Sequence, residues 1–470
     1  MSVPIISLAQ MRHWESATWA TGQSEAEVIR RVGLRVAQRA LQLTRPDDFI
    51  LLLAGKGHNG DDVRAAQPHL TGRRVELLNV KSPAACLTQL ETELGNNPGL
   101  IIDGLLGSGL NRPLDEDWNA FITRLNGAHP TILAVDVPSG LQADTGEAFG
   151  AVVQATVTLT IGVPKPGLLQ ASAAPFVGRL EVVTDVGLIA CPFASELNWT
   201  LPEDFRGFPP ARPAASHKGS FGHLAILAGS LGFHGAAVLA ARGAQRAQPG
   251  LVTVLAHEPA YYPVAAQLQS AMVNVWSPAT FLPGDFSAVL VGPGLAAPDL
   301  PEELRTAARK LWRDSLLPVI VDASALDWLP LDHVPKNAIR VITPHPGEAA
   351  RLLKTTPEHI QENRPEALRE ISKRFGNCWV VLKGHQTLIG HSTGELFVNS
   401  SGNPHLAQGG SGDLLAGFIA GLLAQPALAV SVGRTLRYAV WQHGAAADGL
   451  TARQRNWTVE DLAGELGNAG

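Results

Sequence analysis

Cysteine is scarce in this chain. Only Cys86, Cys191 and Cys378 occur in 470 residues. They lie far apart and form no Cys-x-x-Cys pair. That argues against a disulfide framework or a cysteine zinc site, and for a reducing compartment. Long apolar runs are lacking as well. None approaches the ~18 residues of a membrane-spanning helix. Residues 1–10 show no basic stretch followed by an apolar one, so no secretory leader is expected. Positive charge is not in excess either, since the formal net charge is -5. The basic footprint of a nucleic-acid binder is therefore missing. The expectation is a cytoplasmic protein with neither nucleic acid nor membrane as partner.

Apolar residues are plentiful. They make up 45% of the chain against 17% charged, enough to bury large cores. At roughly 100–200 residues per domain, two or three domains are expected. A seam runs from Cys191 to Gly219 and holds the proline-rich stretch Leu201 to Pro213. It reads as a linker and divides the chain into domains at 1–205 and 206–470. Short apolar runs alternate with longer helical stretches on both sides. The first half has Phe49–Leu53, Leu100–Ile102, Thr131–Val135 and Ala155–Leu159. The second has Leu224–Leu227, Ala288–Val291, Val319–Val321, Val341–Ile342 and Val380–Leu382. Unbroken apolar runs are strands covered on both faces. They predict an α/β protein of mainly parallel sheets flanked by helices. Ligands bind such sheets at the carboxyl ends of the strands.

In the second half, Gln408-Gly409-Gly410-Ser411-Gly412-Asp413 opens an apolar run from Leu414 to Leu423. Glycines at a helix entry let a ligand approach, and the free N–H groups there form an anion hole. Asp413 sits in or just before the first turn. A carboxylate beside phosphate is a poor cap but well placed to take a proton from an attacking hydroxyl. Gly229-Ser230, Gly235-Ala236, Gly292-Pro293-Gly294, Asp322-Ala323, Thr343-Pro344-His345-Pro346-Gly347-Glu348 and Lys383-Gly384-His385-Gln386-Thr387 surround it in sequence order.

These motifs, in this order and spacing, resemble the ribokinase-like superfamily. More specifically they resemble the ADP- or ATP-dependent NAD(P)H-hydrate dehydratases, from about His217 to the end. The resemblance implies a base at Asp413 and phosphoryl stabilisation by Gly410, Ser411 and Gly412. It implies nucleotide contacts from Lys383, Gly384, His385, Gln386 and Thr387 together with Gly410, Ser411 and Gly412, and hydrate contacts from Ala236, Gly294, His345 and Asp413. Mg2+ and ADP are the implied cofactor and phosphoryl donor. The family has Gly-Thr-Gly-Asp where this chain has Gly410-Ser411-Gly412-Asp413, and serine keeps the hydroxyl. On residue chemistry alone, Glu348 reads as a first-turn acid. A cap and a ligand contact stay open for Asp322.

The first half carries Gly55-Lys56-Gly57-His58-Asn59-Gly60-Asp61-Asp62 after its first apolar run. Asp103-Gly104 to Leu110 and Asp136-Val137-Pro138-Ser139-Gly140 follow two others. Strand-end aspartates beside glycine turns suggest one shared pocket. From Met11 to Leu188 this half resembles the NAD(P)H-hydrate epimerase domain, and Gly162-Val163-Pro164-Lys165-Pro166-Gly167 is among the matching segments. The resemblance implies K+ ligation by Asn59, Asp103 and Ser139. It implies hydrate binding by Asn59, Gly60, Asp62, Gly107, Ser108, Gly109, Leu110, Asn111, Arg112 and Asp136, with Asp136 the acid/base. It also implies a Rossmann-like fold here, a ribokinase-like fold in the second half, and homo-oligomers. The family's first turn has Asn, Gly and Gly where this chain has His58, Asp61 and Val63. Ile29 to Gly33 replaces a Met-Glu-Asn-Ala-Gly type of sequence, and Pro68 falls in the following helix. Asp61 and Val63 cannot take a left-handed backbone as glycine does. The expectation is a remodelled loop with weakened or lost epimerase activity.

Two rival readings are open on these grounds. The second half could be a vitamin-precursor kinase of the ribokinase-like group, using the same anion hole and Asp413. The first half could be a ligand-binding or dimerisation module without catalysis.

Overall fold

A computed structural model describes residues 2–280, 283–331 and 334–469. The chain forms two compact units, Val3–Ser195 and Glu196–Gly470 with Met1–Ser2.

The first unit is built on six strands: β1 Phe49–Ala54, β2 Arg74–Asn79, β3 Leu100–Gly104, β4 Ile132–Val135, β5 Val157–Ile161 and β6 Arg179–Val183. All pair in parallel, in the order β2-β1-β3-β4-β5-β6. Every residue of β1, β3 and β4 is buried, as continuous apolar runs demand of strands covered on both faces. Helices α1 Glu25–Leu43 and α2 His58–Ala66 cover one face, where Val28, Val32 and Val36 pack with Ile50, Leu52 and Val63. The strand order reverses between β1 and β3. There the turn entering α2 faces the end of β3.

The second unit contains β7 Leu197–Trp199, β8 His223–Leu227, β9 Leu251–Ala256, β10 Met272–Val275, β11 Ala288–Val291, β12 Val319–Val321, β13 Arg340–Ile342, β14 Trp379–Leu382, β15 Leu388–Gly390 and β16 Leu396–Val398. Their order is β7-β16-β15-β14-β13-β12-β11-β8-β9-β10. Pairing is parallel except at β14–β15 and β15–β16. The helices needed below are α3 His234–Arg246, α4 Pro346–Leu353, α5 Arg364–Arg374, α6 Ser411–Leu423 and α7 Val432–Arg453. Helix α6 is buried from Leu414 to Leu423. It lies against α3 with no room to spare. A Cβ on Gly417 would fall 1.9 Å from the Ala240 carbonyl oxygen, and one on Gly243 would fall 2.1 Å from that of Leu414. Among the described residues no helix is long and apolar enough to cross a membrane.

Two expectations need correction. Residues 196–205 belong with the second unit rather than the first. Leu197–Trp199 pairs with Leu396–Val398, and Phe205 packs on Tyr438 and Trp441 of α7. Proline density hid a strand and a core residue inside an apparent linker. Nor does the first loop call for left-handed backbone at its altered positions. His58, Asp61 and Val63 all lie within α2, so no left-handed backbone is required at 61 or 63. Val63 fills the space over Gly104 instead, where a Cβ would meet its Cγ2 at 2.3 Å. Helix α2 ends at Ala66, so Pro68 lies beyond it, in the short turn Gln67–His69.

Candidate functional sites

In the second unit the sheet order reverses between β8 and β11, the usual place for a ligand crevice. The turns after these strands meet there. Gly294 has φ +66°, and a Cβ on it would lie 2.3 Å from the Phe233 carbonyl and 3.0 Å from the Ala236 Cβ. Ser230 donates to the Gly294 carbonyl at 2.6 Å and accepts from the N–H groups of Ala296 and Ala297. Ala236 and Gly294 thus lie against each other.

Helix α6 begins beyond Gly410, which has φ +94°. Ser411, Gly412 and Asp413 form its first turn, so their N–H groups have no partner within the helix. Lys383, just past β14, brings its Nζ to 3.2 Å from the Cβ position of Gly412. The same ammonium sits 2.8 Å from Asp322 Oδ1 and 3.8 Å from Glu348 Oε2. Burial alone would lower the Lys383 pKa, but Asp322, Glu348 and Asp413 together raise it. Asp413 responds in the opposite sense. Burial raises its carboxyl, Asp322 raises it further, Lys383 only partly offsets this, and the result is about 7. A carboxylate of that basicity suits proton abstraction near neutral pH.

His345 caps α4. Its Nδ1 accepts from the N–H groups of Gly347 at 3.0 Å and Glu348 at 3.3 Å, while Glu348 accepts from the His345 N–H at 2.8 Å. Its Nε2 lies 3.6 Å from Glu348 Oε1, on a side chain that is 53% exposed. Glu348 is therefore both a capping residue and part of the charge cluster. Asp322 makes no cap hydrogen bond to the backbone. It accepts from Thr343 Oγ1 at 2.6 Å and pairs with Lys383. The loop Lys383 to Thr387 is shaped from below by Arg364 at the start of α5, which donates to the carbonyls of Leu382, Lys383 and His385. Burial lowers the Arg364 pKa to about 10. His443 of α7 lies under the anion hole, 3.4 Å from Ser411 Oγ. Burial lowers its pKa to about 4, so the ring is neutral. Thr343, Arg364 and His443 were not legible as site residues. Their partners stand 21, 18 to 21 and 32 positions away.

In the first unit Asp103 is fully buried at the end of β3. Its carboxylate accepts from the Ser139 hydroxyl at 2.7 Å, the Ser139 N–H at 2.9 Å and the Leu105 N–H at 3.1 Å. Burial raises its pKa despite these bonds. Asn59 donates to the Leu106 carbonyl at 3.1 Å, while its Oδ1 is buried without a partner. A buried carboxylate, a hydroxyl and an orphaned amide oxygen are a donor set that fits a monovalent cation. The loop expected to hold substrate joins this cluster only at its start. Gly107 lies against Asn59, Ser108 and Leu110 are half-buried, and Gly109, Asn111 and Arg112 are exposed. Gly60 is pressed against the Gly55 carbonyl, at 2.3 Å from a Cβ position.

Asp136, past β4, has φ +63°. Its Oδ1 receives Lys165 Nζ at 2.5 Å, Thr160 Oγ1 at 3.2 Å and the Ile161 N–H at 3.2 Å. Asp62 is buried nearby. Desolvation first, then the charges of Asp136, Asp61 and Glu15, push its carboxyl well above the usual range. Lys165 belongs to a segment noted in the sequence, yet nothing local marked it as the partner of Asp136, 29 residues earlier.

The second unit therefore combines a mainly parallel sheet with a glycine-led helix start, a carboxyl group of raised pKa and a buried lysine. The first is a separate parallel-sheet domain with its own polar site. Residues 224–467 match the NAD(P)H-hydrate dehydratase family, and residues 74–167 match the YjeF-related protein N-terminus. The bifunctional NAD(P)H-hydrate repair enzyme Nnr of Gloeobacter violaceus is 35% identical, over 96% of this chain and 94% of that protein. The enzyme of the same name from Escherichia coli K12 is 34% identical, over 92% and 88%. The ADP/ATP-dependent NAD(P)H-hydrate dehydratase of Bacillus subtilis, co-crystallised with ATP and Mg2+, superposes with a TM-score of 0.51. It is 32% identical, over 59% of this chain and 97% of that one. The chain belongs to the family of bifunctional NAD(P)H-hydrate repair enzymes.

Proposed function

We propose that the second unit dehydrates the S-form of NADH and NADPH hydrates at the expense of ADP, giving NADH or NADPH, AMP and phosphate. The observation that carries this is Asp413, a carboxyl group with a pKa of about 7 in the first turn of α6, within the field of Lys383. In this reading Asp413 takes the proton of the hydroxyl on carbon 6 of the hydrate as that oxygen attacks the terminal phosphoryl group. The N–H groups of Ser411 and Gly412 and the ammonium of Lys383 hold the charge that develops. The phosphorylated oxygen then leaves, pushed by the ring nitrogen, and loss of a proton restores the dihydropyridine. Ala236, Gly294 and His345 hold the hydrate, and the loop Lys383 to Thr387 holds the nucleotide. Among the described residues no three His, Cys, Asp or Glu side chains form a metal cluster. Mg2+ bound together with the nucleotide would supply charge neutralisation for its phosphates.

We propose also that the first unit interconverts the R- and S-hydrates. The Asp136–Lys165 pair and the open Asn59 Oδ1 support this. Asn59, Asp103 and Ser139 would hold K+, which supplies a fixed charge to orient substrate. When Asp136 takes the hydroxyl proton, carbon 6 becomes an aldehyde and its bond to the ring nitrogen breaks, the electron pair going to the nitrogen, where it is conjugated with the carboxamide. Closure on the other face and return of the proton give the epimer. Homo-oligomeric assembly and a cytoplasmic location belong to the same reading, resting on the resemblance and on the scarcity of cysteine.

The test is to incubate the protein with NADH hydrate, Mg2+ and either ADP or ATP. Recovery of the dihydronicotinamide absorbance with ADP, lost in Asp413→Asn, is the expected result. A stable phosphorylated product instead of NADH would overturn it in favour of the kinase alternative.

A further inference from the structure

The two oxygens of Asp136 are not equivalent. Oδ1 collects Lys165 Nζ, Thr160 Oγ1 and the Ile161 N–H. Among the described residues Oδ2 has no hydrogen-bond partner. Lys165 is equally committed. Its ammonium has three protons and three acceptors: Asp136 Oδ1 at 2.5 Å, Thr160 Oγ1 at 3.0 Å and the Ile161 carbonyl at 3.0 Å. Its side chain is 1% exposed, against 12% for Asp136. The face that this pair shows to a ligand is therefore the carboxylate, not the amine. The backbone at Asp136 is left-handed, a conformation that costs a non-glycine residue free energy and persists only where the surroundings enforce it. Lys165 is placed to enforce it, because a cation with nowhere else to go holds the side chain from behind.

From this geometry we infer that Lys165 is the positioning residue of the epimerase site, fixing Oδ1 of Asp136 so that Oδ2 alone exchanges the proton of the hydrate hydroxyl. The inference rests on the epimerase reading. It adds a residue, and names one oxygen, that the expectation of Asp136 as acid/base left open. Lys165 does not touch the substrate. It supplies the counter-charge and the aim, and Thr160 adds the second side-chain donor. Glu15 and Asp62 are the other acids coupled to Asp136 here. Without Lys165 the carboxylate would face them uncompensated.

The experiment uses the full chain and purified R-hydrate, scored for the S-form above the spontaneous rate. In Lys165→Met, which keeps the length without the charge, kcat is expected to fall about 100-fold, the usual scale for a misplaced reacting group, with KM within about twofold. Lys165→Ala opens a hole, and methylammonium is expected to restore part of the rate while tetramethylammonium is not. Thr160→Val, which removes a single donor, should lower kcat by about tenfold, even if the lysine variants fail to fold. Lys165→Met with the wild-type kcat, a folded Lys165→Ala that no amine rescues, or Thr160→Val with an unchanged kcat would each overturn the assignment. No enzymatic rate in the wild-type chain would instead remove the epimerase reading itself.

Discussion

The raised pKa of Asp413 sets a pH dependence that reaches both rate and stability. The group moves from 3.8 to about 7 because burial and the charge of Asp322 outweigh the attraction of Lys383. If Asp413 is the base, kcat/KM for the hydrate follows its ionised fraction. That fraction is about one tenth at pH 6 and about nine tenths at pH 8, so the rate rises roughly tenfold between them. Asp322→Asn removes the charge that raises the carboxyl and frees Lys383 to pair with it, so the midpoint moves below 7. The sign for stability is the reverse. The folded chain keeps this proton up to about pH 7, whereas the unfolded chain gives it up near pH 4. The stability due to that proton is thus complete below pH 4 and is lost as pH rises through 7. Three units correspond to at most about 4 kcal/mol, less what water near the site screens. Asp413→Asn should therefore be inactive, more stable than the wild type at pH 8, and no more stable at pH 4. The assays are initial rates of dihydronicotinamide recovery at subsaturating hydrate and thermal unfolding at matched pH. A wild-type rate that is flat between about pH 6 and pH 8 would refute the reasoning.

Other expectations follow from single contacts. Gly294→Ala puts a Cβ 2.3 Å from the Phe233 carbonyl at a positive φ, so it should raise the dehydratase KM for hydrate more than that for ADP, measured by steady-state kinetics. Arg364→Met releases the carbonyls of Leu382, Lys383 and His385, and the ADP KM should rise by about tenfold or more. Asn59→Ala removes the orphaned oxygen and should raise the K+ concentration for half-maximal epimerisation, leaving dehydration unchanged, as a K+ titration of both activities would reveal. Val63→Gly restores the family residue but empties a fully buried site. It should cost about 1–3 kcal/mol in denaturant unfolding without speeding epimerisation.

What was legible in the sequence, and what was not, follows the range of the interactions. The nine strands expected from unbroken apolar runs all form. β2, β6 and β10 were missed because they alternate: Arg74–Asn79 is exposed or half-buried at every position but Leu78. β7, β9, β15 and β16 were missed as well, although β9 is apolar at every position but Thr253 and the three-residue β12 and β13 were legible. Glycine turns were legible at the ends of buried runs, since close approach needs glycine locally. The ion pairs were not. Lys383 and Asp322 are 61 residues apart and Lys165 and Asp136 are 29 apart, so only the topology joins them. The expectation for Asp61 and Val63 failed for a related reason. It took a left-handed turn to be the reason for each family glycine, whereas position 63 is helical and its space is set by Gly104 across the sheet.

The close seating of α6 on α3 has a mechanical consequence. In the proposed reaction helix α3 carries Ala236 on the hydrate side, and α6 carries Ser411, Gly412 and Asp413 on the phosphoryl side. Gly417 and Gly243 lock the two backbones together with no slack. Donor and acceptor are thereby mounted on one stiff body. Their alignment is decided turns away from the reacting atoms, by two side chains that are not there. A methyl group added at Gly417 would act as a shim, tilting one half of the reaction against the other while leaving every catalytic residue in the sequence.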